Sequence, residues 1–335
     1  MNKTALIIGA NGQDASYMAE FLIEKGYNVH GTIRRNSVPE SQTTRIEHLR
    51  SQELITLHYM DLTDPISVES IISELKPDEI YHLAAQSHVQ ISFELPKYTL
   101  DVNAGGTLAV LEAVRKFSPN SRVYHAATSE MFGNSYDDDR YQRETTPLIP
   151  VSPYGCSKLY AHSLCHNYRN AYDMFICSGI LFNHESPRRG INFVTNKVVL
   201  EAVKIKLGLS NELVLGNLGA MRDWGHAKDY IKGMWLMLQQ DVPDDYVLAT
   251  GESKSVADLV NYVFDKLELD ASQYVKTDAK FERAEELHYL RGDATKARTK
   301  LGWKPEYTFE TMLDEMIEYW MTLFTTKTDK QWVAY

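Results

Sequence analysis

Cysteine is scarce in this chain, and long apolar runs are missing. The three cysteines, Cys156, Cys165 and Cys177, are odd in number and lack the paired spacing of a disulfide framework or a zinc site. No apolar stretch approaches the ~20 residues that a membrane span needs, and the run at 4–8 is too short for a signal-peptide core. We therefore expect a cytoplasmic protein in a reducing compartment, without a membrane partner.

Positive charge is also in deficit. Lys and Arg number 35 against 45 Asp and Glu, and the net charge of −10 argues against nucleic acid as a partner. An anionic ligand would have to meet positive charge that is local to its site. The acidic insert Asp137-Asp138-Asp139-Arg140 lacks the spaced ligands of a metal site, so we interpret it as a solvated loop and expect no metal.

Strand-like runs alternate with helical patterns through the first half of the chain. The predicted strands are 4–8, 28–34, 55–61, 79–84, 122–128 and 175–182, and segments such as 14–25 and 102–117 suit crossover helices. This alternation predicts an α/β fold built on a parallel sheet with helices on both faces.

The regular alternation of predicted strands and helices ends at about residue 185. Strand candidates at 212–216 and 246–250 are short, and apolar residues recur at helical spacing within 256–267 and 309–320. These two patterns indicate amphipathic helices whose apolar stripes pack in a core. We predict a cofactor-binding domain at 1–185 and a smaller mixed α/β substrate domain at 186–335, with some chain returning to the first domain around 217–250.

A glycine turn follows the first predicted strand and opens the first predicted helix. Gly9 and Gly12 let the backbone approach a ligand closely, while the helix start at Gln13 and Asp14 offers free N–H groups and a positive dipole end. In this context the pattern G-x-x-G-x-x-A predicts the pyrophosphate site of a doubly wound Rossmann domain. Its third position is Ala15 instead of glycine, which helix and strand packing can tolerate.

The ends of the next strands carry further cofactor candidates. Arg34 and Arg35 end the second strand, where an NAD-binding chain usually has an acid for the ribose 2′-hydroxyl. Paired guanidinium groups suit a 2′-phosphate, so NADP is favoured over NAD; a surface role or an oligomer contact is the alternative for either arginine. Asp61 and Leu62 are candidates for the adenine, and Ala84 for the lining of the cofactor groove.

Two segments near the middle of the chain carry candidate chemistry. Tyr154 and Lys158 lie four residues apart and share one helical face, so the ammonium can lower the pKa of the phenol for proton transfer. If Thr128, Ser129 and Glu130 end a strand beside the same pocket, a carboxylate joins this pair around one substrate carbon. The alternative is that Tyr154 and Lys158 are ordinary surface residues, because Y-x-x-x-K also occurs by chance.

With these motifs in this order, the chain resembles the extended short-chain dehydrogenase/reductases and, within them, the GDP-mannose 4,6-dehydratases. The segments that carry the resemblance are 12–14, 34–35, 45–49, 85–89, 128–130, 152–155, 181–190, 192–195 and 222–230. It implies an NADP-dependent lyase that converts GDP-mannose to GDP-4-keto-6-deoxymannose. The steps would be C4 oxidation, loss of water across C5 and C6, and hydride return to C6.

The resemblance also implies roles for five residues. Tyr154, assisted by Lys158, would accept the proton of the C4 hydroxyl, and Glu130 would remove the C5 proton. Thr128 would hydrogen-bond the C4 oxygen, and Ser129 would help the C6 hydroxyl to leave. The temporary C4 ketone is needed because an unactivated C5–H is far too weak an acid for a carboxylate.

Other family positions bind the cofactor and the nucleotide sugar. The matching residues imply cofactor contacts from Ser87, His184 and Arg189, and substrate contacts from Ser87, Asn183, Lys197, Arg222, Arg283 and Glu286. The cations among them would meet the diphosphate, and Glu286 suits a ribose diol. For Arg222, a structural salt bridge with Asp223 or Asp229 is the competing interpretation.

In this family the loop after the second strand reaches a neighbouring subunit's cofactor within a tetramer. Residues 35–37 occupy that loop here, so we expect a homo-oligomer and assign the 2′-phosphate of the same subunit to Arg34. Two departures lie near the substrate side: Ala284 replaces a proline after Arg283, and the polar stretch 134–143 is longer than usual. The sugar therefore stays open between mannose and a relative such as a manno-heptose.

Two other functions compete with the dehydratase. A nucleotide-sugar epimerase or 4-reductase of the same superfamily would share the glycine turn, Tyr154 and Lys158 but would need no base at Glu130. A non-catalytic NADP-binding sensor would have no reason to keep Thr128, Glu130, Tyr154 and Lys158 together.

Overall fold

The structure is a computed structural model that describes residues 2–35, 43–278, 280 and 285–326. Strands and helices alternate along the first half of the chain. The strands are β1 (Thr4–Ile8), β2 (Asn28–Ile33), β3 (Thr56–Tyr59), β4 (Glu79–His82), β5 (Arg122–Ala126), β6 (Ile176–Leu181), β7 (Asn183–Glu185), β8 (Leu213–Leu215), β9 (Met221–Arg222), β10 (Trp224–His226), β11 (Asp245–Leu248), β12 (Lys254–Ser255) and β13 (Val275–Thr277).

Thirteen α-helices are found within the described residues. They are α1 (Gln13–Glu24), α2 (Glu47–Arg50), α3 (Pro65–Leu75), α4 (Val89–Glu94), α5 (Pro96–Leu100), α6 (Gly106–Phe117), α7 (Pro153–Tyr172), α8 (Val194–Lys206), α9 (Ala227–Leu238), α10 (Val256–Lys266), α11 (Ala271–Tyr274), α12 (Thr295–Leu301) and α13 (Phe309–Thr326). In the part of the chain that the structure covers, no helix is long and apolar enough to cross a membrane.

Seven strands form one parallel sheet in the order β11-β6-β5-β4-β1-β2-β3. This doubly wound arrangement confirms the predicted fold class. The chain reverses its direction of winding between β1 and β4, which are hydrogen-bonded neighbours. In such sheets the crevice at the carboxyl ends of the strands beside this reversal is where ligands bind.

The two faces of the sheet are covered by different helices. In β1, Ala5 and Ile7 belong to an apolar cluster with α1 and α9, whereas Leu6 and Ile8 belong to a cluster with α3, α6 and α7. All four side chains are completely buried, as expected for a strand of continuous apolar sequence covered on both sides. The sheet is thereby fixed from both faces, and its carboxyl edge is left for the site.

The second half of the chain builds a separate apolar cluster. Helices α8, α10 and α13 pack around Leu213 and Leu215 of β8. The stripes predicted within 256–267 and 309–320 lie in this cluster, so their interpretation as core is confirmed. Strand β11 instead extends the large sheet beside β6, and Met234 and Met237 of α9 lie in the cluster of α1.

The helix predicted at 102–117 has a different start. A π-helical turn at Asp101–Gly105 precedes α6, which begins at Gly106. The wider turn directs Asn103 inward, where its side chain accepts from the Gln86 N–H and donates to the Ser157 hydroxyl. The amide thus joins the loop after β4 to helix α7, which carries Tyr154 and Lys158.

Candidate active site

A cleft of about 1090 Å³ runs along the carboxyl ends of β1, β4, β5 and β6. It continues between the sheet and the helical cluster that contains α8. Most of the predicted site residues line this cleft, and they come from distant parts of the sequence: Gly9, Gly12, Gln13, Asp14, Ala84, Ser87, Thr128, Ser129, Glu130, Tyr154, Lys158, Asn183, His184, Arg189, Lys197, Arg222 and Glu286.

The cofactor end of the cleft is formed by the turn between β1 and α1. Gly12 is the N-cap residue of α1, and without a side chain it leaves the first-turn amides to face the cleft. Uncapped N–H groups at a helix start suit the pyrophosphate of a dinucleotide. The donors present therefore fit the predicted cofactor.

A hydrogen-bond network ties this turn to the end of β6. The Gln13 amide donates to the His184 carbonyl at 3.1 Å and to Asp14 at 3.0 Å. The Asp14 carboxylate bonds His184 Nε2 at 2.7 Å, and the Ser186 hydroxyl donates to Gln13 at 2.8 Å. The residues of the glycine turn and of the 182–186 segment therefore hold each other in place beside the cofactor end.

The predicted catalytic turn follows β5 directly. Residues Ser129–Phe132 form a 3-10 turn, and the Thr128 hydroxyl caps it by accepting from the Glu130 N–H at 3.2 Å. Thr128, Ser129 and Glu130 are all buried and line the cleft. The short turn presents three functional side chains from consecutive positions at the edge of the sheet.

Helix α7 brings Tyr154 and Lys158 to the same place. Its N-cap Ser152 accepts from the Gly155 N–H at 3.0 Å, and Pro153 occupies the first turn, where no N–H is needed. Gly155 is required by close packing, because a Cβ there would lie 2.9 Å from the Glu130 carbonyl oxygen. The helix start therefore lies directly against the catalytic turn.

Burial sets the acidity of this pair. Burial raises the pKa of Tyr154 to about 12. The Thr128 hydroxyl and the Arg189 guanidinium lower this pKa, but their effects are smaller than that of burial. Burial also lowers the pKa of Lys158 to about 8. Desolvation is the largest influence on the Tyr154 phenol, and Lys158 Nζ donates to the Ala126 carbonyl at 2.8 Å, so a lowering of the phenol's pKa by Lys158 stays a prediction.

Four predicted cofactor residues lie outside the lining of the cleft. Arg34 and Arg35 are exposed just after β2, where Arg34 donates to the Tyr98 hydroxyl and Arg35 to the Tyr59 hydroxyl. Asp61 accepts from the N–H and hydroxyl of Thr63. Leu62 is buried against Gly106. The structure thus keeps the arginines at the surface and gives Asp61 a turn-forming contact.

The far end of the cleft contains cations and a carboxylate. Lys197 Nζ donates to the Val214 carbonyl at 2.6 Å. Arg222 donates to the Met221 carbonyl at 2.9 Å, and its Nη2 lies 3.5 Å from Glu286 Oε1. Arg283 lies outside the described residues. These groups give the cleft positive charge from α8 and β9 and a carboxylate from Glu286.

The two carboxylates considered as partners of Arg222 have other contacts. Asp223 accepts from the N–H groups of Thr250, Gly251 and Gly292. Asp229 accepts from the N–H groups of Glu306 and Tyr307. Both acids therefore hold main-chain N–H groups of other loops.

The segment after β7 also lines the cleft. Arg189 Nε lies 3.0 Å from Glu185, and its guanidinium lies 3.6 Å from the centroid of the Phe193 ring. His88 contacts the same ring from the side of α4, with centroids 5.4 Å apart. Asn183 is the first residue of β7. Strand β7 pairs with β10, so Asn183 lies opposite Trp224, two residues after Arg222.

Several lining residues were missed by the sequence analysis. Glu201 and Lys204 on α8 face the cleft, together with Lys280 and the aromatic Phe193. The spacing of Lys197, Glu201 and Lys204 places them on one helical face, and that signal could have identified the last two. Lys280 has no comparable pattern in the sequence.

Comparison with known proteins identifies the family. The family model described as GDP-mannose 4,6 dehydratase matches residues 6–316. The chain belongs to the GDP-mannose 4,6-dehydratase family. A relative named GDP-mannose 4,6 dehydratase 2, from Arabidopsis thaliana, is 51% identical over 326 residues, which cover 94% of this chain and 86% of the relative. The predicted family resemblance is confirmed.

Solved structures at lower identity share the fold of this dehydratase family member. RMD from Pseudomonas aeruginosa, complexed with NADPH, aligns with a TM-score of 0.78 at 22% identity, covering 96% of this chain and 100% of that one. dTDP-glucose 4,6-dehydratase from Bacillus anthracis, in complex with NAD, has a TM-score of 0.81 at 22% identity, covering 95% and 96%. At this identity the likeness concerns the fold alone.

Proposed function

We propose that this chain is a hydro-lyase that converts GDP-mannose to GDP-4-keto-6-deoxymannose with NADP as its resident cofactor. The observation that carries the proposal is the convergence of Glu130, Tyr154 and Thr128 at one point of the cleft. The substrate assignment is supported by membership of the GDP-mannose 4,6-dehydratase family.

The first task of the protein is to take a proton from the C4 hydroxyl. Tyr154 is the acceptor, and the nearby Thr128 hydroxyl, which lowers the pKa of the phenol against the larger effect of burial, would also orient the C4 oxygen. When bound, NADP would supply the hydride acceptor at C4 and the hydride donor at C6. Lys158 is fixed by the Ala126 carbonyl at the base of this site and brings an ammonium into a buried region.

The second task is elimination. Once C4 is a ketone, the C5 proton is acidic enough for a carboxylate base, and Glu130 lies beside Tyr154 to remove it. The C6–O bond breaks as the C5–C6 double bond forms, and the departing oxygen takes the proton from Glu130 and accepts a hydrogen bond from Ser129, so that it leaves as water. The proton held by Tyr154 would then return at C5 as C6 is reduced. The net change is loss of one water, because the oxidation at C4 is balanced by reduction at C6.

The choice of NADP rests on the two arginines after β2. Arg34 and Arg35 are exposed, so their guanidinium groups are accessible to a 2′-phosphate, and Arg34 is assigned to it. We assign the rest of the cofactor to six residues that line the cleft: Gln13, Asp14, Ala84, Ser87, His184 and Arg189. Asp61 and Leu62 are assigned to the adenine side.

The diphosphate and nucleoside would occupy the far end of the cleft. Lys197 and Arg222 supply positive charge there, with Asn183 toward the sugar and Glu286 toward a ribose diol. Arg283 is included by family position. This local positive charge would allow a chain that is acidic overall to bind an anionic substrate.

The wider assignments follow the same family pattern. We assign a cytoplasmic location and a homotetramer with the loop at 35–37 in the interface. The chain is divided into a cofactor domain at 1–185 and a substrate domain at 186–335, with 217–250 returning to the first.

A product analysis tests the function. Purified protein with NADP is incubated separately with GDP-mannose and GDP-manno-heptose, and the products are analysed by mass spectrometry and by NMR of C4 to C6. We expect GDP-mannose to lose one water and to acquire a C4 ketone and a C6 methyl group. A mass unchanged with both sugars would contradict the dehydratase, and C4 inversion without water loss would identify an epimerase.

A further inference from the structure

The polar stretch after the catalytic turn forms an unusual connection, which we call the brace and define as residues 134–143. It begins with Asn134, directly after the turn that carries Glu130. The Asn134 amide donates to the Glu286 carbonyl at 3.1 Å, and its oxygen accepts from the His288 N–H at 3.0 Å. One exposed side chain thereby holds two main-chain groups on either side of Leu287.

Gln142 anchors the other end of the brace. This side chain is completely buried; it donates to the Ser135 carbonyl at 2.9 Å and accepts from the Arg291 N–H at 3.0 Å. The Gln142 main chain also bonds the Arg291 carbonyl and the Asp293 N–H, each at 2.9 Å. The brace therefore runs beside residues 286–293 and is bonded to them at both ends.

Charged and aromatic side chains fill the space between these ends. The Arg140 guanidinium lies 4.9 Å from the centroid of Tyr136 and 4.7 Å from that of Tyr289. Arg143 pairs with Asp293 at 2.8 Å across the two segments and with Asp139 within the brace. The residues interpreted from sequence as a solvated loop thus lie in a segment that is held to residues 286–293 by an ion pair and a cation–π contact.

The catalytic turn and the 286–293 segment also share one apolar cluster. Met131 and Phe132 of the turn are completely buried with Leu287 and Leu290. Met131 follows Glu130 directly, and Leu287 follows Glu286. This shared packing sets the position of Glu286 relative to the catalytic turn.

The same segment fixes Arg222. The Met221 N–H donates to the His288 carbonyl at 2.9 Å, and the Leu290 N–H donates to the Met221 carbonyl at 3.1 Å. Arg222 comes next in the chain and lies 3.5 Å from Glu286 at the cleft. The brace consequently supports both members of this pair.

We propose that Asn134 is a positioning residue for nucleotide-sugar binding. Through the brace it holds Glu286 and Arg222 at a fixed distance from Glu130, so that a nucleoside diphosphate bound at one end places its sugar at the catalytic turn. This inference rests on the proposed function, since it concerns how the same cleft binds its substrate.

The test compares Asn134→Ala with Asp138→Ala, a control at an exposed position in the same loop. We expect Asn134→Ala to raise the KM for GDP-mannose and weaken GDP binding roughly tenfold, because two hydrogen bonds that position the segment are lost. Its kcat should stay within about twofold of wild type, since the catalytic groups are retained. Asp138→Ala should match wild type, and NADP binding should be unchanged in both.

A second variant tests the proposal if Asn134→Ala does not fold. Arg140→Ala removes the contact with Tyr289 from the exposed side and should shift KM in the same direction, by a smaller factor. The proposal is overturned if folded Asn134→Ala keeps the wild-type KM and GDP affinity, or if kcat falls while KM does not. A wild type that binds GDP without dehydrating GDP-mannose would refute the proposed function alone, and the GDP affinities would then decide the role of Asn134.

Discussion

His184 donates hydrogen bonds from both ring nitrogens, to the Phe182 carbonyl through Nδ1 and to the Asp14 carboxylate through Nε2, each at 2.7 Å. A carbonyl can only accept, and an ionised carboxylate can only accept, so this geometry requires the imidazolium form. Burial lowers the pKa of His184, but the charge and hydrogen bond of Asp14 outweigh burial and raise it overall. The pair fastens the glycine turn to the end of β6.

The stability contributed by this pair should depend on pH. The raised pKa of His184 stabilises the fold below its ordinary 6.5 and loses effect as pH rises through the folded value. For Asp14, burial raises the pKa, but His184 lowers it overall, so its contribution is present above the ordinary 3.8 and is lost as pH falls through the folded value. Stabilisation should be greatest between these two ordinary values.

The measurement is denaturant unfolding of wild type and Asp14→Asn from acid to alkaline pH. Near pH 5 we expect the substitution to reduce the free energy of unfolding by about 2 kcal/mol, the typical worth of a hydrogen bond between charged groups. The difference should shrink above neutral pH as His184 loses its proton. A difference that is constant with pH would show that the pair is not ionic.

The strands of the large sheet could be predicted from the sequence because they are apolar runs separated by regular helical segments. β1 was predicted at its observed bounds, and the other strands of the large sheet differ from prediction mainly at their ends. The π-helical turn before α6 was not predictable, since it depends on Asn103 meeting Gln86 and Ser157 from distant parts of the chain.

Arg34→Ala tests the cofactor preference. Loss of a charge-assisted contact with the 2′-phosphate should raise the KM for NADP by roughly ten- to a hundredfold and leave the KM for NAD unchanged. Initial rates with each cofactor measure this effect. Arg50→Ala is the control, because Arg50 is an exposed arginine paired with Glu47. Equal changes for both cofactors would remove Arg34 from 2′-phosphate recognition.

Lys158→Met tests the role of the buried ammonium. We expect kcat to fall by roughly 10²- to 10⁴-fold, the usual contribution of a group that serves proton transfer. Because burial lowers the pKa of Lys158 to about 8, the cation is present below that pH and is lost above it. The wild-type profile of kcat/KM should therefore decline near pH 8, and this limb should be absent from the variant.

The matched substitution for Lys158 is Lys206→Met, on the surface of α8 beside Glu268. It should leave both kcat and the pH profile at wild-type values. An alkaline limb that persists unchanged in Lys158→Met would assign that ionisation to another group.

Gly133→Ala tests the backbone of the catalytic turn. Gly133 ends the turn with φ 56° and ψ −132°, and a Cβ there would lie 1.9 Å from the Ile149 carbonyl oxygen. The substitution should cost about 4 kcal/mol or more in unfolding free energy, as strain and a backbone clash combine. Gly208→Ala, at φ 70° with open space around it, should cost about 1 kcal/mol. Equal costs in urea unfolding would contradict this explanation.

The candidate site was predictable to the extent that its residues belong to motifs. Tyr154, Lys158 and Glu130 were found in this way, and they do meet at the cleft. The raised pKa of Tyr154 could not be read from the sequence, because a spacing of four residues does not show where the lysine donates or how completely the phenol is buried. The contact of residue 134 with residues 286 and 288 had no sequence signal, since it is a tertiary pairing of two loops.

Glu130→Gln tests most directly the claim that Glu130 converts a redox site into an eliminating one. With GDP-mannose and NADP, we expect the rate of water elimination to be at least about a thousandfold lower in the variant than in wild type. Oxidation at C4 should survive, so reduced cofactor and a 4-keto sugar that retains its C6 hydroxyl should accumulate, as measured by absorbance and mass spectrometry. Formation of GDP-4-keto-6-deoxymannose at the wild-type rate would contradict the account.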